Sequence, residues 1–160
     1  MNQTKVHDFD SGIAMVVTDL HGDGAVYEHL RDIFLDLHEK GEADRLIICG
    51  DLIHGYGDEA DDKSLEMLLD VMRLQSEMGE DTIILLMGNH EMPHIYGITL
   101  SKGNLAFTPR FERALTRLDA NADNDYNRAD VIRFLKSLPF YVRTKAGVLL
   151  THAGASDAIK

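Results

Sequence analysis

The stretch "TIILLMGNHEMPH" (Thr82–His94) decides the fold. An apolar run stops at Gly88, and Asn89, His90, Glu91 and, slightly later, His94 follow it. A short run that is apolar almost throughout, rather than alternating, is the pattern of a strand covered on both faces, as in a parallel sheet. Two other runs share it, "IAMVVT" (Ile13–Thr18) and "RLIIC" (Arg45–Cys49). Helical patterns separate the three. Val26, Leu30, Ile33, Phe34 and Leu37 fall on one face at helical period, with Asp23 placed to cap the start and Gly41 to end it. Leu65, Leu68, Leu69 and Met72 define a second helix ending near Gly79, in which Met67, Met72 and Met78 read as core filler. Strand, helix, strand, helix, strand predicts a βαβαβ unit and an α/β fold.

After Met92 the rhythm changes. "PRFERALTRL" and "NRADVIRFLKSL" predict two helices around an Asx-rich stretch, and "FYVRTKAGVLLTHAG" predicts a hairpin turning near Lys145, Ala146 and Gly147.

Each expected strand ends in residues that bind metals or move protons. "TDLHG" delivers Asp19 and His21, "CGDLIHG" delivers Asp51 and His54, "MGNHE" delivers Asn89, His90 and Glu91, and "LTHAG" delivers His152. Ligands of parallel α/β sheets bind beyond the carboxyl ends of the strands, so the four ends are expected to meet in one crevice. Asp19 and His21 are two residues apart and can face the same way in extended chain. Asp51 is a carboxylate able to bridge two ions, while Asn89 and His152 offer a neutral oxygen and an imidazole. Mixed oxygen and nitrogen donors suit Mn, Fe or Zn better than Ca or Mg. Such ions sit roughly 3.5–4 Å apart when paired for hydrolysis. Taken singly, each residue reads as a turn former, a helix cap or a structural histidine. Taken together they read as a two-metal site.

The bulk properties agree. The 160 residues suit one domain with a real core. With 44% hydrophobic and 27% charged residues the composition is that of a soluble globular protein. A net charge of -11 argues against a nucleic-acid groove and would attract divalent cations. Cys49 is alone, so no intrachain disulfide forms. The polar N-terminus lacks a signal-peptide core and no apolar run reaches membrane-spanning length. The expected location is the cytoplasm, with no membrane partner.

The motifs "DLHG", "GDLIHG", "GNHE" and "THAG" resemble those of the calcineurin-like metallophosphoesterases, and most closely the serine/threonine phosphoprotein phosphatase branch. The resemblance spans Asp19 to Gly154. It implies part of a four-layer α-β-β-α sandwich and two divalent metal ions. Asp19 and His21 would bind the first with Asp51, which bridges to the second; Asn89 and His152 would bind the second. His90 would be the general acid, and a metal-bridging hydroxide would attack phosphorus in line. The expected function is hydrolysis of phosphate esters on a phosphorylated protein or small molecule, with phosphoprotein as the leading substrate. A nucleotide or dinucleoside polyphosphate hydrolase is the alternative. A metal-bound scaffold without catalysis is the third reading.

Three departures from the family pattern stand out. Where the phosphoprotein phosphatases carry an Asp that orients the catalytic His and an Arg that grips phosphate, this chain has His54 and Gly55. Arg110, Arg113 and Arg143 are candidates to replace that Arg, with nothing in the sequence selecting one; His54 could bind phosphate or be a surface residue, and His54 and His94 are imidazoles that could supplement the metal ligands. The family also calls for a further metal-binding His beyond Lys160. Residues 1–160 are therefore expected to be the N-terminal portion of a metallophosphoesterase domain. Separately, "DANADNDYNRAD" puts Asp119, Asn121, Asp123, Asp125 and Asp130 at the ligand positions of a calcium loop, but Asn124 replaces its Gly and Asp130 its Glu. The alternative is an Asx-rich connection between helices.

Overall fold

The computed structural model describes residues 5–121 and 123–154. In chain order the elements are β1 (Val6–Phe9), β2 (Ala14–Val17), α1 (Gly24–Glu39), β3 (Arg45–Ile48), α2 (Ser64–Met78), β4 (Ile83–Leu85), α3 (Met92–Tyr96), β5 (Ser101–Lys102), β6 (Leu105–Ala106), α4 (Phe107–Ala120), α5 (Arg128–Ser137), β7 (Tyr141–Thr144) and β8 (Leu149–Thr151). β2, β3 and β4 form the expected parallel sheet, with β3 in the centre.

The central strands are covered on both faces, as their near-continuous hydrophobicity requires. Leu46, Ile48, Ile83 and Leu85 point into the core shared with the helices. Ile47, Cys49, Ile84 and Leu86 point the other way, onto Val142, Phe9 and Leu150 of a second sheet, ordered β1-β7-β8. Helices, first sheet and second sheet make three successive layers. Tyr141, Arg143 and Leu149 lie exposed on the outer face of the second sheet.

Three expectations are corrected. β2 is not buried on both faces: among the described residues it is the edge of its sheet, and Val16 is 46% exposed. The buried stripe of α1 runs through Tyr27 and Phe34, while Val26 and Ile33 face outward, because the helix is rotated by about one residue relative to the apolar pattern. The strand that carries His152 belongs to the second sheet, pairing antiparallel with β7, so the crevice is built from two sheets rather than one. The hairpin itself turns where expected, with the Gly147 N–H donating to the Thr144 carbonyl at 3.0 Å. The Asx-rich stretch is occupied with local bonds: Asn127 and Asp130 form a capping box on α5, and Asp119 accepts from the Arg128 N–H. No helix among the described residues is long and apolar enough to cross a membrane.

α1 and α2 are pinned by one carboxylate. Asp70 accepts from the Tyr27 hydroxyl at 2.8 Å, from Arg31 at 3.1 Å and from Arg73 at 2.6 Å. Burial works against its charge, but the bonds from Arg73, Tyr27 and Arg31 outweigh it and hold its pKa below the ordinary value. Asp70→Asn should lower the unfolding free energy at pH 7 by about 1–2 kcal/mol. A carboxylate with a depressed folded pKa adds stability above its unfolded pKa, and that share is lost as pH falls through the folded value. The gap between the two proteins in urea titrations should therefore narrow between pH 7 and about pH 3. A gap unchanged by pH would assign the effect to packing.

Candidate active site

The loops after β2 and β3 hold one another by backbone bonds beyond the strand ends. Asp19 N–H donates to the Gly50 carbonyl, His21 N–H to that of Asp51 at 2.9 Å, and Gly22 N–H to that of Leu52 at 2.8 Å. Four non-glycine residues there adopt positive φ: Asp19 (54°), His21 (45°), Asp51 (52°) and His54 (74°). Such backbone costs on the order of 1–3 kcal/mol per residue and persists where the surroundings over-determine it. Gly50 and Gly88 allow the loops to stack. A Cβ on Gly88 would lie 2.3 Å from Asp51 Oδ1 and 2.5 Å from Glu91 Oε2.

Glu91 is the clamp beneath these loops. Its Oε2 accepts from the backbone N–H groups of Asp51 at 3.0 Å and Gly88 at 2.9 Å; its Oε1 accepts from Leu52 at 2.9 Å and Ile53 at 3.4 Å. Burial and the neighbouring Asp51 charge push its pKa up to about 7, against the pull of the backbone N–H groups.

Asp51 sits above the clamp and is 4% exposed. Its Oδ1 accepts from the His90 N–H at 3.0 Å and lies 3.4 Å from His152 Nε2. Its Oδ2 lies 3.8 Å from His21 Nε2 and 4.0 Å from His90 Nε2. Two groups of donors, His21–Asp51–His90 and Asp19–Asp51–His152, are each close enough to enclose an ion, and Asp51 belongs to both. The four strand ends therefore converge, although these groups cut across the Asp19–His21 and Asn89–His152 sets implied by the resemblance.

The donor chemistry fits cations. His152 Nδ1 lies 2.8 Å from the Cys49 carbonyl and donates to it, which turns Nε2 into the site. Nε2 faces Asn89 Oδ1 at 2.9 Å and Asp51 Oδ1 at 3.4 Å. Imidazole nitrogen, amide oxygen and carboxylate gathered at this spacing make a mixed N and O donor set suited to a transition-metal cation. His21 Nδ1 is buried without a partner among the described residues.

A profile of the calcineurin-like phosphoesterases matches residues 14–159. The chain belongs to that family. No curated protein matches this chain in sequence. Among solved structures it is similar to a candidate diadenosine tetraphosphatase, with 23% identity and a TM-score of 0.51 over 93% of this chain and 54% of the other. The likeness shows the shared fold, and this chain spans about half the length of that structure.

The remaining sequence candidates resolve as follows. His54 and His94 do not join the donors: His54 Nδ1 lies 3.1 Å from His90 Nδ1, and His54 Nε2 lies 2.8 Å from His94 Nε2. Arg113 pairs with Glu59 and Arg143 with Asp8. Arg110 spans the Gly55 and Gly57 carbonyls at 3.1 and 2.8 Å, bracing the loop where the family Arg would stand. Tyr56, Lys102 and Glu112 were not singled out by the sequence. Tyr56 packs edge-on against His21 with ring centroids 4.7 Å apart and is 44% exposed. Lys102 Nζ lies 5.0 Å from the Tyr56 ring centre. Glu112 meets His94 at 2.8 Å across 18 positions, a pairing that no local spacing signals.

Proposed function

We propose that this phosphoesterase hydrolyses phosphate esters or anhydrides with two divalent cations. Asp19, His21, Asp51, Asn89 and His152 hold the cations, and His90 is the general acid. The observation that carries this is Asp51, a buried carboxylate that Asp19, His21 and His152 surround and that belongs to both groups of side chains close enough to enclose an ion. Cations bound there supply an activated water and offset charge on the phosphoryl oxygens. The chain's own contribution is to place His90. Its Nδ1 meets His54 while its Nε2 turns toward Asp51, where a leaving oxygen would need a proton.

His90→Asn should retain the cation content of the parent. It should slow phenyl phosphate hydrolysis by about 100-fold but p-nitrophenyl phosphate, whose leaving group needs no proton, by about 10-fold or less. Equal slowing of both esters would remove the general-acid role, and loss of cations would make His90 a ligand.

A nucleotide polyphosphate substrate is favoured over phosphoprotein by two observations. The solved relative is described as a candidate diadenosine tetraphosphatase. A cleft of about 660 Å³ beside Asp19 and His21 is walled by Tyr56, a half-exposed aromatic surface suited to stacking on a base. A panel of diadenosine polyphosphate and phosphoserine peptide separates the readings, and faster turnover of the peptide would restore phosphoprotein.

A further inference from the structure

The chain of imidazoles behind His90 ends at a carboxylate. His94 Nδ1 lies 2.8 Å from Glu112 Oε1, and Arg128 pairs with the other carboxylate oxygen. His54, His90 and His94 are 1%, 6% and 7% exposed. Phe107 stacks on His54 at 5.4 Å and 12°, and Phe111 packs against both His54 and His94. Side chains thus wall the chain along its length. Every ring nitrogen of His54 and His94 has a partner within the chain, and on His90 only Nε2 is left facing the site.

We infer that Glu112, through His94 and His54, is the positioning group of this site: one carboxylate sets the order of hydrogen bonds through three histidines and aims Nε2 of His90 at the reacting centre. The logic is one of counting protons. A neutral imidazole has one N–H and one lone pair. Glu112 can only accept, so His94 donates from Nδ1 and keeps its lone pair on Nε2. His54 must then donate from Nε2, which leaves its Nδ1 as an acceptor. His90 must donate from Nδ1. With Nδ1 held by His54, Nε2 is the ring atom that His90 turns toward Asp51 and the place of the leaving oxygen. The chain supplies what residue 54 lacks as a histidine.

The surroundings agree with this order of bonds. Burial and the neighbouring His94 and His90 push the pKa of His54 down to about 2, so it stays neutral. Burial opposes ionisation of Glu112, but the bonds from His94 and Arg128 outweigh it and hold its pKa below the ordinary value.

The inference rests on the proposed role of His90, yet its first test does not need turnover. Nitrogen-15 NMR of the histidine rings in the full, cation-free chain should show His90 as the Nδ1–H tautomer, and His54 as Nε2–H. Glu112→Gln, which removes the charge but keeps the shape, should mix the His90 tautomers. A dominant Nε2–H form of His90 in the parent chain would overturn the inference. So would an unchanged His90 signal in Glu112→Gln.

The second test is kinetic. Glu112→Gln should lower kcat for phenyl phosphate by about 10-fold with KM and cation content unchanged. His54→Asp puts a carboxylate directly against His90 Nδ1, and in that background Glu112→Gln should have no effect. An equal loss in both backgrounds would make Glu112 a merely structural residue. If Glu112→Gln does not fold, the parent tautomers decide alone. A parent chain with the expected tautomers but no phosphoesterase activity would reject the proposed function and leave the positioning chain standing.

Discussion

Glu91→Gln is expected to lower the unfolding free energy by about 3 kcal/mol, a large share of the roughly 5–15 kcal/mol that holds a domain together. The two side chains differ by one atom. Yet all four N–H groups around Glu91 donate, two to each oxygen, and a Gln amide must turn its own N–H bonds toward one of the pairs. Two buried backbone donors then lose their acceptor, at about 1–3 kcal/mol each. The sum is moderated because the carboxylate is itself costly to bury beside Asp51, which is why its pKa is raised to about 7. The loss should be read from urea midpoints of the cation-free protein, and cation affinity should fall with it because the Asp51 and Gly88 loops share the clamp. A change under about 1 kcal/mol would mean that the loops hold their positive-φ shape without the carboxylate.

How much of this was legible in the sequence follows from what each signal measures. Apolar runs report burial, so β3, β4 and the main helices stand out in a single chain. They do not report partners. β1 reads as polar in "VHDF" and becomes a strand only because Val6–Phe9 pairs in register with Tyr141–Thr144 and Phe9 packs under the Arg45 guanidinium, 3.9 Å from its ring centre. The "DLHG", "GDLIHG", "GNHE" and "THAG" motifs located the site because they sit at strand ends. Which sheet carried His152 was not legible, since a short apolar run looks alike in either.

The bonds that organise the site join residues far apart in sequence. Glu91 reaches residues 38 to 40 positions away, and His54 reaches His90 across 36. Neither periodicity nor local spacing encodes such pairings. Positive φ was likewise hidden at Asp19, His21, Asp51 and His54, because only glycine advertises it. The departure at position 54 was visible as an anomaly, and the structure gives it a partner.

The same reasoning assigns opposite effects to one substitution at Asp51, depending on whether cations are present. Asp51→Asn keeps the shape and leaves Oδ1 to accept from the His90 N–H. It replaces Oδ2, which faces His21 Nε2 and His90 Nε2, by a donor. In cation-free protein the change removes a buried charge that Glu91 opposes, so the melting temperature should hold or rise. With cations the sign reverses. A ligand that binds only the folded chain at 100 times its Kd adds about 2.7 kcal/mol. Asp51 is the one residue common to both donor groups, so the variant should lose both ions and that stabilisation with them. Calorimetric titration with Mn²⁺ or Zn²⁺, beside melting curves with and without the metal, reads both effects. A variant that still takes up two ions per chain would show that the donors do not converge on Asp51. A variant less stable than its parent before any cation is added would make Asp51 a structural residue first.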